Sequence, residues 1–418
     1  MIMNYRIITM KWRQIAGLML MSGILLTVGS CDVPSDNSLF DPDYQGNPDP
    51  VITGISPEGS WLAGVDAMVI EGQNFSPLVE ENFIYFGNAR ARLYTASPTR
   101  LEFRPPNSPG VDKEVRVAVL GAEKFSNSMM YTLLPPAVTV AGLRDSDEPY
   151  GATMDADGNL YFSNIASGSI EGIQKITPQG VRSQFAPAQT WFYIRVKIGP
   201  DGALYLSRGG IIPFIYRVPP EGGTPAIYAR PGLRVEDFDF DPEGYFWAGG
   251  GNQGTNNNAI VRIGPDGTGF TRFTFDADVK AIRYFDNSLY VGAVQGETKG
   301  VWRFPVNADN TLGEGQLIQD MTSILTGTRE IRALNLLSNG DLLIGTSIST
   351  DPIYIRTVDG EFGLFYDGIL RQGVLNFSWV HGTQNMLVTL AGAGDQNQRI
   401  VRLDTRRETA PWYGLPGN

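Results

Sequence analysis

Two residue types are almost missing from this 418-residue chain: there is one cysteine, Cys31, and one histidine, His381. No disulfide can form within the chain, and a zinc cluster of Cys and His ligands is excluded. A Ser-His-Asp triad would have to use His381, which lies in the turn-like stretch WVHGTQN. Any metal must then be held by oxygen, which leaves calcium or magnesium. Positive charge is also short, since 33 Lys and Arg face 44 Asp and Glu for a net charge of −11. No basic patch is visible, so nucleic acid is excluded as a partner. What the chain has in quantity is punctuation, with 49 Gly and 27 Pro spread along its length, and aromatics, with 17 Tyr, 21 Phe and 7 Trp. Frequent turns and abundant aromatics point to an all-β protein with few long helices.

No apolar run is long enough to span a bilayer comfortably. Residues 15–28, IAGLMLMSGILLTV, follow Arg6, Lys11 and Arg13 and precede GSC, the layout of a secretory signal. The stretch VGSC, Val28 to Cys31, resembles a bacterial lipobox, with Val28 where that family usually has Leu. The resemblance implies cleavage after residue 30 and lipidation of Cys31. Loss of three positive charges and no negative ones would leave a mature chain of charge −14. Residues 31–49 are acidic and Pro-rich, which suits an extended tether. The expectation is an exported protein held to the outer membrane by its lipid anchor, on the surface or the periplasmic face.

From residue 50 to 134 the pattern changes to short alternating strands, DAMVIEG, NFIYFG, ARARLYTAS, RLEFRPP and VRVAVLG. Gly72 and Asn74 suit a turn of positive φ before Phe75, and Pro105 with Pro106 closes a strand. The segments ISPEG (Ile55 to Gly59), IEGQNF (Ile70 to Phe75), IYFGNARA (Ile84 to Ala91), SPTRLEFRPP (Ser97 to Pro106) and VRVAVLG (Val115 to Gly121) resemble the immunoglobulin-like IPT/TIG family. That resemblance implies a β-sandwich acting as a spacer or interaction module.

Residues 137–418 repeat themselves. DADGNLYFSN, GPDGALYLSR, DPEGYFWAGG, FDNSLYVGAV, LSNGDLLIGT and GTQNMLVTLA each place a turn before an apolar strand. Their first large apolar residues are Leu160, Leu204, Phe246, Leu289, Leu342 and Met386, about 43 residues apart except for one longer interval. Six four-stranded units of this period make a six-bladed β-propeller. Asp155, Asp157 and Asn159 in MDADGNLYFSN form a calcium-like triplet, but its degenerate copies identify it as hairpin chemistry. AVTVAGL, residues 137–143, and TAPWYGL, residues 409–415, both read as outer strands. One completes the last blade and the other is left to join the two domains.

The functional face is expected where the innermost strands begin. Their first positions read Tyr150, Ile194, Glu236, Lys280, Arg332 and Asn376, with Arg195 and Asp237 beside them. Above them would lie loops such as GGGNQGTNNN, whose Asn252, Gln253 and Asn256 carry both donors and acceptors for sugar hydroxyls. The repeats resemble the NHL type and the wider six-bladed family that includes gluconolactonases, over residues 148–404, and EPYGATMDADGNLYFSN is the nearest copy. For a lactonase that resemblance implies a metal held by Glu, Asn and Asp. Glu148 and Glu236 match two of these weakly, and Ile194 and Arg195 stand where the Asn should be. The ligand expected is a glycan or an envelope protein, with no cofactor indicated and calcium alone left open. A metal-dependent hydrolase or lactonase using Glu148, Glu236 and Asp237 is the alternative, and a structural subunit of an outer-membrane assembly is a third reading.

Overall fold

A computed structural model describes residues 46–208, 214–251 and 258–415. Cys31 and the run before it lie outside them, and no helix among the described residues is long and apolar enough to cross a membrane. The chain is all-β: an immunoglobulin-like sandwich followed by a six-bladed propeller.

The sandwich packs a four-stranded sheet, in the order Val51–Ser56, Met68–Gln73, Arg100–Arg104, Arg92–Ser97, against a five-stranded one. Alternation drives it. In Asn82–Phe86 every second residue is buried, and Ile84 and Phe86 meet Ile70, Leu101 and Phe103 from the opposite sheet. Asn74 takes the expected positive φ of 61°. Gly72 does not: a Cβ there would collide with the Val51 carbonyl and the Phe75 ring, so its role is close approach.

Six antiparallel four-stranded sheets follow, and the innermost strand of each packs against the next, the last against the first. These innermost strands are Asp147–Met154, Tyr193–Ile198, Val235–Phe240, Asp278–Phe285, Ile331–Leu336 and Val374–Trp379. Ala137–Thr139 completes the sixth blade by pairing with Arg399–Asp404, so the chain's return to its own start closes the ring. Residues 409–415 are not an outer strand. Only Thr409 bridges, to Leu337, after which Trp412 and Leu415 turn inward. Pro411 lacks an amide for strand pairing, and Gly414 lies against the Ile198 carbonyl and the Trp412 indole with no room for a side chain.

The Asp-rich turn is a hairpin. Asp155 Oδ1 accepts from the Asn159 amide at 2.8 Å, and its Oδ2 accepts from the Tyr161 hydroxyl at 3.0 Å. Asp201 and Asp241 repeat this, accepting from Tyr205 at 3.2 Å and Trp247 at 2.8 Å. The acid and the aromatic of the motif are thus one device, pinning the turn to the strand that follows.

Sandwich and propeller touch directly. Arg104 donates to the Asp367 carboxylate at 2.6 Å, Asn107 donates to the Gly368 carbonyl at 3.0 Å, and the Arg406 guanidinium lies 4.2 Å from the Trp61 ring centre. An ion pair, a hydrogen bond and a cation–π contact therefore join the two domains.

Candidate functional site

Every innermost strand carries a β-bulge at the same height, between Pro149 and Ala152, Tyr193 and Arg195, Val235 and Asp237, Val279 and Ala281, Ile331 and Ala333, and Val374 and Asn376. A bulge inserts a residue without a cross-strand partner and re-aims its side chain. The inserted residues Tyr150, Ile194, Glu236, Lys280, Arg332 and Leu375 are all half-buried and ring the mouth of the channel. Asn376, expected at the mouth, is one step deeper. It is buried, and its Nδ2 donates to the Ala152 carbonyl at 3.0 Å, tying the last blade to the first. An even count of residues along the strand misses the bulge, so Leu375 takes the place assigned to Asn376.

The charges at the mouth are committed to one another. Lys280 Nζ lies 2.9 Å from both Asp278 and Glu330, Arg332 pairs with Glu330 at 2.7 Å, and Glu236 is held by Arg234. Burial pushes the Lys280 ammonium down, yet Glu330 and Asp278 outweigh it and leave its pKa raised. Beside them Tyr150 packs on Phe192 with ring centres 4.4 Å apart. Burial, aided by Glu148, raises the Tyr150 phenol, which therefore remains a hydrogen-bond donor.

One residue below, Arg195 closes the axis. Its guanidinium donates to the carbonyls of Ile194 (3.2 Å), Leu375 (3.3 Å), Lys280 (3.2 Å) and Arg332 (2.9 Å), while Nε faces Asp237 at 3.2 Å. A single side chain thereby joins five of the six blades. All of its N–H directions are in use, which only the planar fork of arginine permits. The bulges expose the carbonyls that it takes.

A second charged layer lies deeper. Lys197 Nζ is 3.0 Å from Asp237, Arg283 pairs with Asp239 at 2.5 Å and donates to Asn335 at 3.0 Å, and all of these residues are buried. Asp237 and Asp239 also accept the backbone amides of Ile282 and Tyr284, both at 2.9 Å. Trp412 caps the far end, its ring 4.9 Å from the Arg283 guanidinium and 6.0 Å from Lys197 Nζ. The channel is consequently filled with paired charge and shut below by an indole.

This bears on the metal expectation. Asp237 is taken on one oxygen by two cations and on the other by an amide, and Glu236 is bound to Arg234. Glu148 is exposed and lines a cavity of about 590 Å³ with Asp145, Ser167, Gln396 and Gln398, between the first and last blades. Among the described residues no three His, Cys, Asp or Glu are gathered as metal ligands. The axial place next to Asp237 is filled by a guanidinium, which repels a cation. Asn252, Gln253 and Asn256 lie outside the described residues, and His381 sits exposed in its turn.

On the rim of blade 1, buried Asp147 accepts from Arg182 at 2.5 Å, from the Arg144 amide at 2.7 Å and from Asn164 at 2.8 Å, and Arg182 also holds Glu171 at 2.9 Å. Burial pushes the Asp147 carboxyl up, and the bonds from Arg182, Arg144 and Asn164 more than reverse it, so its pKa is lowered. A depressed carboxylate contributes stability above its unfolded value, about 3.9, and loses that contribution as pH falls through the folded value. Urea midpoints of Asp147→Asn should therefore lie below those of the unaltered protein at pH 7, and the gap should close as pH falls through the lowered folded value. A gap that stayed constant with pH would contradict this.

Sequence reasoning missed Lys197, Asp239, Arg283, Asp278 and Glu330, together with an aromatic strip containing Trp191, Phe192 and Phe214. The inner charges do leave a trace, because YIRVKI and VEDFDF set charges at alternate positions, and AIRYF one charge, in strands buried on both faces.

Residues 50–133 match the IPT/TIG domain family. No curated protein matches the chain. Among solved structures, an auxiliary nutrient binding protein from Bacteroides thetaiotaomicron is similar at 12% identity and a TM-score of 0.50, over 87% of this chain and 98% of that one. A luciferin-regenerating enzyme is similar at 13% identity and a TM-score of 0.52, over 67% of this chain and 99% of that one. These likenesses show the fold, and the fold serves one protein described as a binder and another as an enzyme.

Proposed function

We propose that the chain is a lipid-anchored cell-envelope binding protein whose propeller mouth recognises a glycan. In this reading Cys31 carries the anchor, residues 31–49 form the tether, the sandwich of 50–134 is the spacer, and the propeller of 137–418 is the recognition module. The observation that carries it is the Arg195 seal. With the axis filled and the charges at the mouth paired, the groups left to meet a ligand there are the half-buried, mutually packed Tyr150 and Phe192 rings. Among the described residues the mouth sets no nucleophile next to a base. An aromatic edge beside fixed donors suits the alternating apolar and hydroxyl faces of a sugar.

Calorimetric titration of the purified protein with a panel of oligosaccharides tests this. At least one should bind, and Tyr150→Ala with Phe192→Ala should weaken it by about tenfold or more, the loss of one stacking contact. Retention of full affinity by that double variant would remove the mouth from the binding site.

A further inference from the structure

Blade 2 carries an aromatic strip that runs outward from the mouth. Tyr150 meets Phe192, and the neighbouring Trp191 and, further out, Phe214 rest on the buried Tyr216, with ring centres 5.9 and 6.3 Å away. Two arginines are seated on it. The Arg208 guanidinium is 4.2 Å from the Trp191 ring centre and that of Arg230 is 4.5 Å from Phe214.

Their commitments differ from those of the other charges on this face. Arg234, Lys280 and Arg332 each hold a carboxylate. Among the described residues Arg208 and Arg230 have no ion pair, and Arg208 Nε is buried without a hydrogen-bond partner. Residues 209–213, which follow Arg208 in the sequence, include no acid. An aromatic face fixes the plane of a guanidinium but takes none of its N–H donors, so the fork stays free for an oxyanion. In a chain of net charge −11, two such groups some residues apart on one strip make a local positive site in an acidic surround.

We infer that the ligand is an acidic saccharide, its sugar rings lying along the strip from Tyr150 and Phe192 and its carboxylate or sulfate groups held by Arg208 and Arg230. This rests on the glycan reading above and specifies its chemical class.

The test uses three probes at low and at 0.3 M salt: a galacturonate tetrasaccharide, its neutral methyl ester, and a sulfated chondroitin tetrasaccharide. At least one of the two acidic probes should bind about tenfold more tightly than the methyl ester, an advantage that shrinks with salt. Which acidic probe is preferred tells carboxylate from sulfate. Arg208→Gln with Arg230→Gln should abolish the preference, and Arg208→Lys with Arg230→Lys should leave it intermediate, because lysine keeps the charge without the fork. Equal binding of ester and acids, or a preference that survives the Gln pair, would overturn the acidic class and leave glycan recognition standing. If none of the three bound while another oligosaccharide did, the acidic class would be lost. If no oligosaccharide bound at all, both readings would fall.

Discussion

Arg195→Met is expected to destabilise the propeller by about 3–5 kcal/mol, the cost of several buried acceptors left unsatisfied at about 1–3 kcal/mol each, partly relaxed. The change strips hydrogen bonds from the carbonyls of Ile194, Lys280, Arg332 and Leu375, four groups on four blades that water cannot easily reach. Asp237 keeps Lys197 and the Ile282 amide, so its charge is not fully orphaned. That sets the loss in the carbonyls rather than the carboxylate. Arg195→Lys supplies a distinguishing result: an ammonium has three donors and no fork, so it should recover part of the loss and not all of it. Urea unfolding of both variants gives the comparison, and a methionine penalty below about 1 kcal/mol, the range of a surface charge, would contradict the seal.

Trp412→Ala should cost a similar amount, about 3–5 kcal/mol, from the cavity left by a buried indole. It has a second effect that ordinary core truncations lack. The ring covers Lys197 and Arg283, so its removal lets water reach the lower charged layer. Amide exchange should therefore accelerate at Ile282 and Tyr284, whose amides are bonded to Asp237 and Asp239, before the outer strands of the blades respond. Trp61→Ala is the control. That indole is half-buried between sandwich and propeller, under Arg406, and its loss should cost only about 1 kcal/mol with no change in exchange along the axis.

The blades were legible because their turns are chemically explicit. Asp155 and Asp241 open the turn and Asp201 sits two residues further along it, yet each is bonded to the aromatic of the next strand, and both partners stand out in the repeated segments. The mouth was harder to read for a physical reason. Tyr150, Ile194, Glu236, Lys280, Arg332 and Leu375 occupy equivalent bulges yet share no side-chain property, since a bulge is set by backbone hydrogen bonding and not by residue type. Asn376 was misplaced by one residue on that account. Arg195 was placed near the mouth but its role was hidden, because its partners are carbonyls, which every residue possesses. The segment TAPWYGL has the apolar content of a strand, but Pro411 and the crowded Gly414 make it a plug.

Recognition at the mouth face is the claim on which the other functional readings depend, and a hydrogen-exchange footprint with the tightest-binding oligosaccharide tests it most directly. Protection is expected in residues 148–152, 191–195, 214–216 and 228–234, which carry Tyr150, Phe192, Phe214 and Arg230, with the hairpin turns at 155–159, 199–203 and 241–245 unaffected. Protection confined to those turns, or to the sandwich at 50–134, would contradict it.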